Sequence, residues 1–220
     1  MPDRKRPKPE QDNPPGSLRR RQRQERQSDI LQAAIEVIAE RGYHNTRISD
    51  IAEKAGVAYG LVYHYFGSKE NILSSLFENL WERFGERIAR ISAQEIPATH
   101  KLAEISDYML DTFIARPDII KILVHEIVHS HHIPDLPQLE IVRRIIGQIE
   151  NIFQAAIVSG ELSKDADTRL LSFAFFGAIE MLLTALVTGV YDQTTTPDSR
   201  QLKEVKRNMR AFIHGGSFGG

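Results

Sequence analysis

Residues 125–132 read H-E-I-V-H-S-H-H. In the pattern H-E-x-x-H, two His one helical turn apart hold zinc and the Glu between them serves as the general base of a peptidase. His125 and His129 are then the candidate metal ligands and Glu126 the candidate base. A zinc peptidase also requires a third protein ligand, an open coordination position and a cleft that orients a peptide. The longer pattern that supplies a third His fails here, because His132 stands where Gly is required and Asp135 where the His should be. Glu150 is a distant carboxylate with nothing distinctive around it. On a helical wheel Ile120, Leu123, Val124 and Ile127 form the apolar face, and His125, His129 and His132 fall together opposite it. The stripe therefore reads as a solvated polar face, as a surface that meets a small effector, or as a metal site in a zinc peptidase or a metal-sensing regulator.

The elements that carry such residues are bounded by composition. The chain has 220 residues, 41% of them apolar, and no Cys, which excludes disulfides, thiolate nucleophiles and Cys-ligated metals. No run of about 18 apolar residues is expected to span a bilayer, and no cofactor motif is found. The amino terminus M-P-D-R-K-R-P-K-P-E lacks the apolar core of a secretory signal, so a cytoplasmic location is expected.

The net charge of −1 conceals an asymmetry. Residues 1–27 hold nine Lys or Arg against four acids, which leaves −6 for the other 193 residues. Lys and Arg gain by displacing counterions from phosphates, so Arg19, Arg20, Arg21 and Arg23 are candidate DNA contacts. Prolines 2, 7, 9, 14 and 15 argue against regular structure, and residues 1–24 are read as a disordered basic arm.

Order is expected from Ser28, where Ile30, Leu31, Ala34, Ile35 and Ile38 recur at helical spacing until Gly42 ends the helix. Residues 45–73 then read N-T-R-I-S-D-I-A-E-K-A-G-V-A-Y-G-L-V-Y-H-Y-F-G-S-K-E-N-I-L. Thr46 is the expected cap of a short helix carrying Ile48, Ile51, Ala52 and Ala55; Gly56 supplies a tight turn and Val57 anchors the corner. A second short helix points Val62 and Phe66 inward and leaves Tyr59, Gly60, Tyr63 and His64 outside, and Ser68 caps the next. A short helix with an exposed aromatic and polar face fits a major groove about 12 Å wide. By pattern alone, the alternative is a helical hairpin that merely packs.

The segment resembles the DNA-binding signature of the tetracycline-repressor (TetR) family of bacterial regulators. The matching features stand here as Ile51 and Ala52, Ala55 to Val57, Gly60, Tyr63, Tyr65 and Phe66, Ser68 to Glu70, and Leu73. The resemblance implies a double-stranded DNA operator contacted by Arg47, Tyr59, Gly60, Tyr63, His64 and Lys69, with Tyr63 and Lys69 chiefly on phosphates. It implies a regulator rather than an enzyme.

Residues beyond 70 read as helix: to about Ile91, then Ala98 to Ala115, Pro117 to about His131, Pro137 to Ser159, Ala166 to Val190 and Pro197 to Ile213. The expected fold is all-α, with a helix-turn-helix domain over 25–70, an effector and dimerisation bundle over 71–214 and a Gly-rich tail over 215–220. The stretch S-F-A-F-F-G-A-I-E-M-L-L-T-A-L-V-T-G is apolar nearly all round, so it must bury more than one face. The resemblance implies that the last two long helices form a homodimer interface. It also implies a small-molecule pocket, for which Met109, Phe113, Leu123, Ile127, Ile152, Phe153, Phe176 and Met181 are candidate walls. Within the family, I-A-E-R-G-Y-H and S-G-E-L-S-K-D-A-D-T-R-L are similar to fatty-acid-degradation regulators that respond to acyl-coenzyme A, which implies an apolar, long-chain effector.

Overall fold

The computed structural model describes residues 15–120, 122, 136–192 and 198–216. Among these the elements are helices: α1 Pro15–Arg41, α2 Ile48–Lys54, α3 Tyr59–Phe66, α4 Lys69–Ser92, α5 Ala98–Ala115, α6 Leu136–Ser159, α7 Thr168–Thr188 and α8 Ser199–Gly216. Residues 117–120 and 122 are helical as well.

Helix α1 corrects the reading of the basic segment. It is continuous from Pro15, so residues 15–24 are helical, not a disordered arm. Pro is tolerated at the first helical position because its missing N–H has no partner there. The Arg and Gln that follow are straight-chain residues that lose little rotamer freedom in a helix. Arg21 adds a pair with Glu25 at 3.2 Å, one turn on.

Two apolar cores organise the chain. The smaller gathers Ile30, Ala34 and Ile38 of α1, Ile51 and Ala52 of α2, Val62 and Phe66 of α3, and Ile72 and Leu76 of α4. The larger joins α4 to α8 through residues such as Phe84, Ile88, Leu102, Phe113, Ile149, Phe153, Phe176 and Val205. Helix α4 belongs to both, and Ile119 packs against both. The two cores thus share packed side chains.

Helix α8 buries Leu202, Val205, Met209 and Ile213, one stripe at helical spacing, and packs on α5. Ion pairs Lys206 to Asp111 and Arg210 to Asp107 fasten the two helices. Exposed apolar side chains gather on the outer side of α7 at Leu170, Phe173 and Met181, with single ones at Val158 of α6, Phe212 of α8 and Ile114 of α5. Helix α7 also corrects an expectation about length. An 18-residue window of it has a mean hydropathy of 2.1, long and apolar enough by composition to cross a membrane. Its inner face packs on α6 and the core, while its outer face is apolar and exposed at Leu170, Phe173 and Met181.

Candidate nucleic-acid interface and effector site

The turn between α2 and α3 is built on Gly56 at φ +65°, a left-handed conformation that costs other residues energy. The Val57 N–H donates to Ala52 O at 3.0 Å and closes the corner. Helix α3 then buries Val62 completely and Phe66 nearly so, which is worth about 1.5–3 kcal/mol per side chain. Fixing those two residues turns Tyr59 and Tyr63 outward, 54% and 57% exposed, with their rings stacked at 6.4 Å. Gly60 and His64 are exposed beside them, and a Cβ on Gly60 would meet nothing within 4 Å. Arg47 is exposed at the start of α2. The exposed side of α3 is aromatic and polar, and α3 contains no acid.

Three local features were not legible in the pattern. Thr46 does not cap α2; its hydroxyl donates to Gly42 O at 2.8 Å. The cap position is Arg47, whose N–H donates to the Asp50 carboxylate at 2.9 Å, so the helix starts one residue later than the Thr suggested. Asn71 donates from its side-chain amide to Phe66 O at 2.7 Å, satisfying a terminal carbonyl of α3 from the first turn of α4. Ser68 caps α4 as expected, accepting from Asn71 N–H at 3.2 Å. Bonds from its own backbone N–H and from Ser68 hold the Glu70 carboxyl below the ordinary range.

Lys69 departs most from its expected role. Its ammonium donates to the carbonyls of Tyr43 at 2.7 Å, Thr46 at 3.1 Å and His44 at 3.4 Å, and lies 4.3 Å from the Tyr43 ring centroid. All three donors point inward, onto the loop that joins α1 to α2. In this structure Lys69 clamps that loop to α4.

The helical extension of α1 reaches the recognition helix. Arg19, Arg23 and Arg26, with Gln22, border a groove of about 340 Å³ closed on the other side by His64 and Tyr65. The Arg23 guanidinium stands 5.7 Å from the Tyr65 ring centroid. Arg26 joins this group although the sequence reading passed over it. Arg20 and Arg21 are exposed on α1 outside the groove.

In the bundle, Phe113, Ile152, Phe153 and Phe176 are buried core residues and Met109 packs against them half-buried. Met181 is 63% exposed and faces away from any internal pocket, because it shares the outer side of α7 with Phe173 and Leu170. Leu123, Ile127, His125, His129 and His132 lie outside the described residues. Trp81 Nε1, Ser106 Oγ and Gln148 Oε1 are buried in this bundle without a hydrogen-bond partner among the described residues. Such orphans cost about 1–3 kcal/mol each unless something else supplies the bond.

A reading helix on a three-helix head, attached through α4 to a helical bundle, defines a DNA-binding regulator. Residues 30–76 match the profile of the bacterial regulatory proteins of the tetR family. The fatty acid metabolism regulator protein of Bacillus subtilis is 32% identical over 167 residues, covering 76% of this chain and 86% of that one. A crystal structure of FadR from Bacillus subtilis in complex with stearoyl-CoA and a solved structure of the fatty acid degradation regulator FadR from Bacillus halodurans superpose with TM-scores of 0.74 and 0.72. They are 29% and 25% identical, and each pairing covers 86% of this chain and 98% of the other. The chain belongs to the TetR family, and within it resembles the FadR type. It is a ligand-responsive transcriptional regulator of a family whose members bind operator DNA as homodimers, and it is not an enzyme.

Proposed function

We propose that the chain represses transcription from a near-palindromic operator and leaves it when a long-chain fatty acyl-CoA binds the bundle. The observation that carries this reading is whole-chain similarity to a regulator crystallised with stearoyl-CoA. The orphaned polar atoms of Trp81 and Gln148 support it, because an otherwise apolar core that holds unpaired donors and acceptors suits a ligand with a long chain and a few polar groups.

In this reading residues 25–70 read DNA and residues 71–214 bind effector and dimerise, in the cytoplasm. Tyr59, Tyr63, His64 and Arg47 meet the major groove, with Gly60 allowing close backbone approach, while Arg19 and Arg23 extend the contact along the phosphates from α1. The last two long helices, through the exposed outer face of α7, pair two subunits and set two recognition helices at successive grooves. Effector binding favours one bundle arrangement and changes their separation. The test is to recover genomic fragments that bind the purified protein and titrate the complex with stearoyl-CoA by fluorescence anisotropy. Release at saturation is expected; a complex indifferent to acyl-CoA of every chain length overturns the effector assignment.

A further inference from the structure

Helix α7 carries two charged residues, Arg169 in its first turn and Glu180 beyond its middle, about 16 Å apart along the axis. Phe173, Gly177, Glu180 and Thr184 recur at intervals of four, three and four, so they share one stripe of the helix, beside Leu170 and Met181. Phe173 is exposed, and a Cβ on Gly177 would meet nothing within 4 Å, which leaves the stripe open to a second helix. Glu180 is already half-buried, and its carboxyl makes no ion pair or hydrogen bond among the described residues. The elements packed on α7 are α6 and α5, and their charges are engaged elsewhere. On α6, Glu140, Arg143 and Arg144 border a cleft with Glu78 and Glu82 of α4, and Glu150 accepts from Thr168 at the far end of α7. On α5, Lys101 donates to Ser92 O and Glu104 accepts from Gln94. Asp107 and Asp111 pair with Arg210 and Lys206, and the His100 ring meets that of His214. Burial is accordingly what pushes the Glu180 carboxyl above its ordinary value. A second subunit seated on this stripe removes more water from the same group, and an unpaired charge resists that.

We propose that Glu180 makes subunit pairing acid-strengthened: a second copy of this chain seats on the α7 stripe with Glu180 neutral, and the carboxylate form opposes the seating. The inference rests on the pairing through α7 given above and adds its control. Two-fold pairing brings one Glu180 from each subunit into the interface, so two protons are linked to association. The sign follows from which form is favoured. Pairing gains in full below the ordinary carboxylate range, and the gain is lost as pH rises through the raised value. A fall in pH therefore raises the fraction of chains that can span two half-sites.

The test measures association of the full chain, wild type and Glu180→Gln, by sedimentation from nanomolar to micromolar concentration between pH 5.5 and pH 8. Subunit exchange between populations labelled at the amino terminus, followed by fluorescence transfer, keeps a very tight dimer measurable. DNA is left out, because His64 on the reading face is itself titratable. The wild-type dissociation constant is expected to be about tenfold or more lower at pH 5.5 than at pH 8, with slower exchange, from two carboxyls desolvated further on pairing. Glu180→Gln should pair as tightly at pH 8 as the wild type does at pH 5.5, with a flat profile. A flat wild-type profile overturns the acid control and leaves the pairing standing. Weaker pairing of Glu180→Gln than of wild type at pH 8 shows a partner cation holding the carboxylate and overturns it equally. A wild type that stays monomeric at every pH overturns the pairing through α7 as well.

Discussion

Replacing Lys69 by Met keeps most of the side chain's bulk and removes one ammonium with three acceptors. In this structure those acceptors are the carbonyls of Tyr43, His44 and Thr46, with the Tyr43 ring as a fourth contact. A hydrogen bond to a charged group is worth about 1.5–3 kcal/mol and an exposed cation–π contact about 0.5–1 kcal/mol. The bonds share one half-buried donor and do not add fully, so a total near 2–3 kcal/mol is expected. For a chain of this length that corresponds to a fall in melting temperature of about 5–10 °C. DNA affinity should drop as well, because the loop that positions α2 loosens, but the dependence of log K on log salt should keep its slope. A lysine on phosphate predicts the reverse: an unchanged melting temperature and a slope smaller by about 0.9, one phosphate's share. Thermal unfolding and anisotropy titrations over a salt series separate the two. Unaltered stability with a reduced slope refutes the clamp.

Gly56→Ala should cost about 1–2 kcal/mol in chemical denaturation through backbone strain at φ +65°, since a Cβ there meets nothing within 4 Å. Phe173→Asp, on the outer face of α7, should shift the protein toward monomer in sedimentation and abolish operator binding without unfolding the bundle. Burial pushes the Glu180 carboxyl above its ordinary value, and no cation pairs with it among the described residues. Its protonated form is therefore favoured by folding: that contribution is complete below the ordinary carboxylate range and is lost as pH rises through the raised value. Glu180→Gln should melt higher than wild type at neutral pH, and the difference should vanish near pH 4; a gap independent of pH refutes the burial argument.

The reading head was legible because its determinants are local. Gly42, Gly56 and Ser68 mark ends and turns by their own backbone or capping chemistry, and the spacing of Val62 and Phe66 fixes which way Tyr59 and Tyr63 face. The boundaries of α4 and α5 followed from the same kind of signal. What escaped depends on distant partners. Lys69 finds its carbonyls more than twenty positions away, and no spacing rule announces that. Met181 was misplaced because α7 is apolar on nearly every side, so periodicity gives no inner face; packing against α6 decides it. The start of α1 was missed because clustered prolines outweighed the helix-forming Arg and Gln behind them. H-E-I-V-H, the most recognisable pattern in the chain, belongs to a regulator and not to a peptidase.

Helix α1 runs unbroken from Pro15 to Arg41 and is tied to the end of α5 by the Arg116 bond to Gln32. Gln32 is about 20 Å along that rod from Arg19. Pivoting at the tether by about 6° swings the arginine end through about 2 Å, most of a hydrogen-bond length. In the proposed reading the rod is a mechanical amplifier: displacements too small to disturb the bundle's packing would be enough to slide a row of guanidinium groups off the phosphates they are proposed to meet.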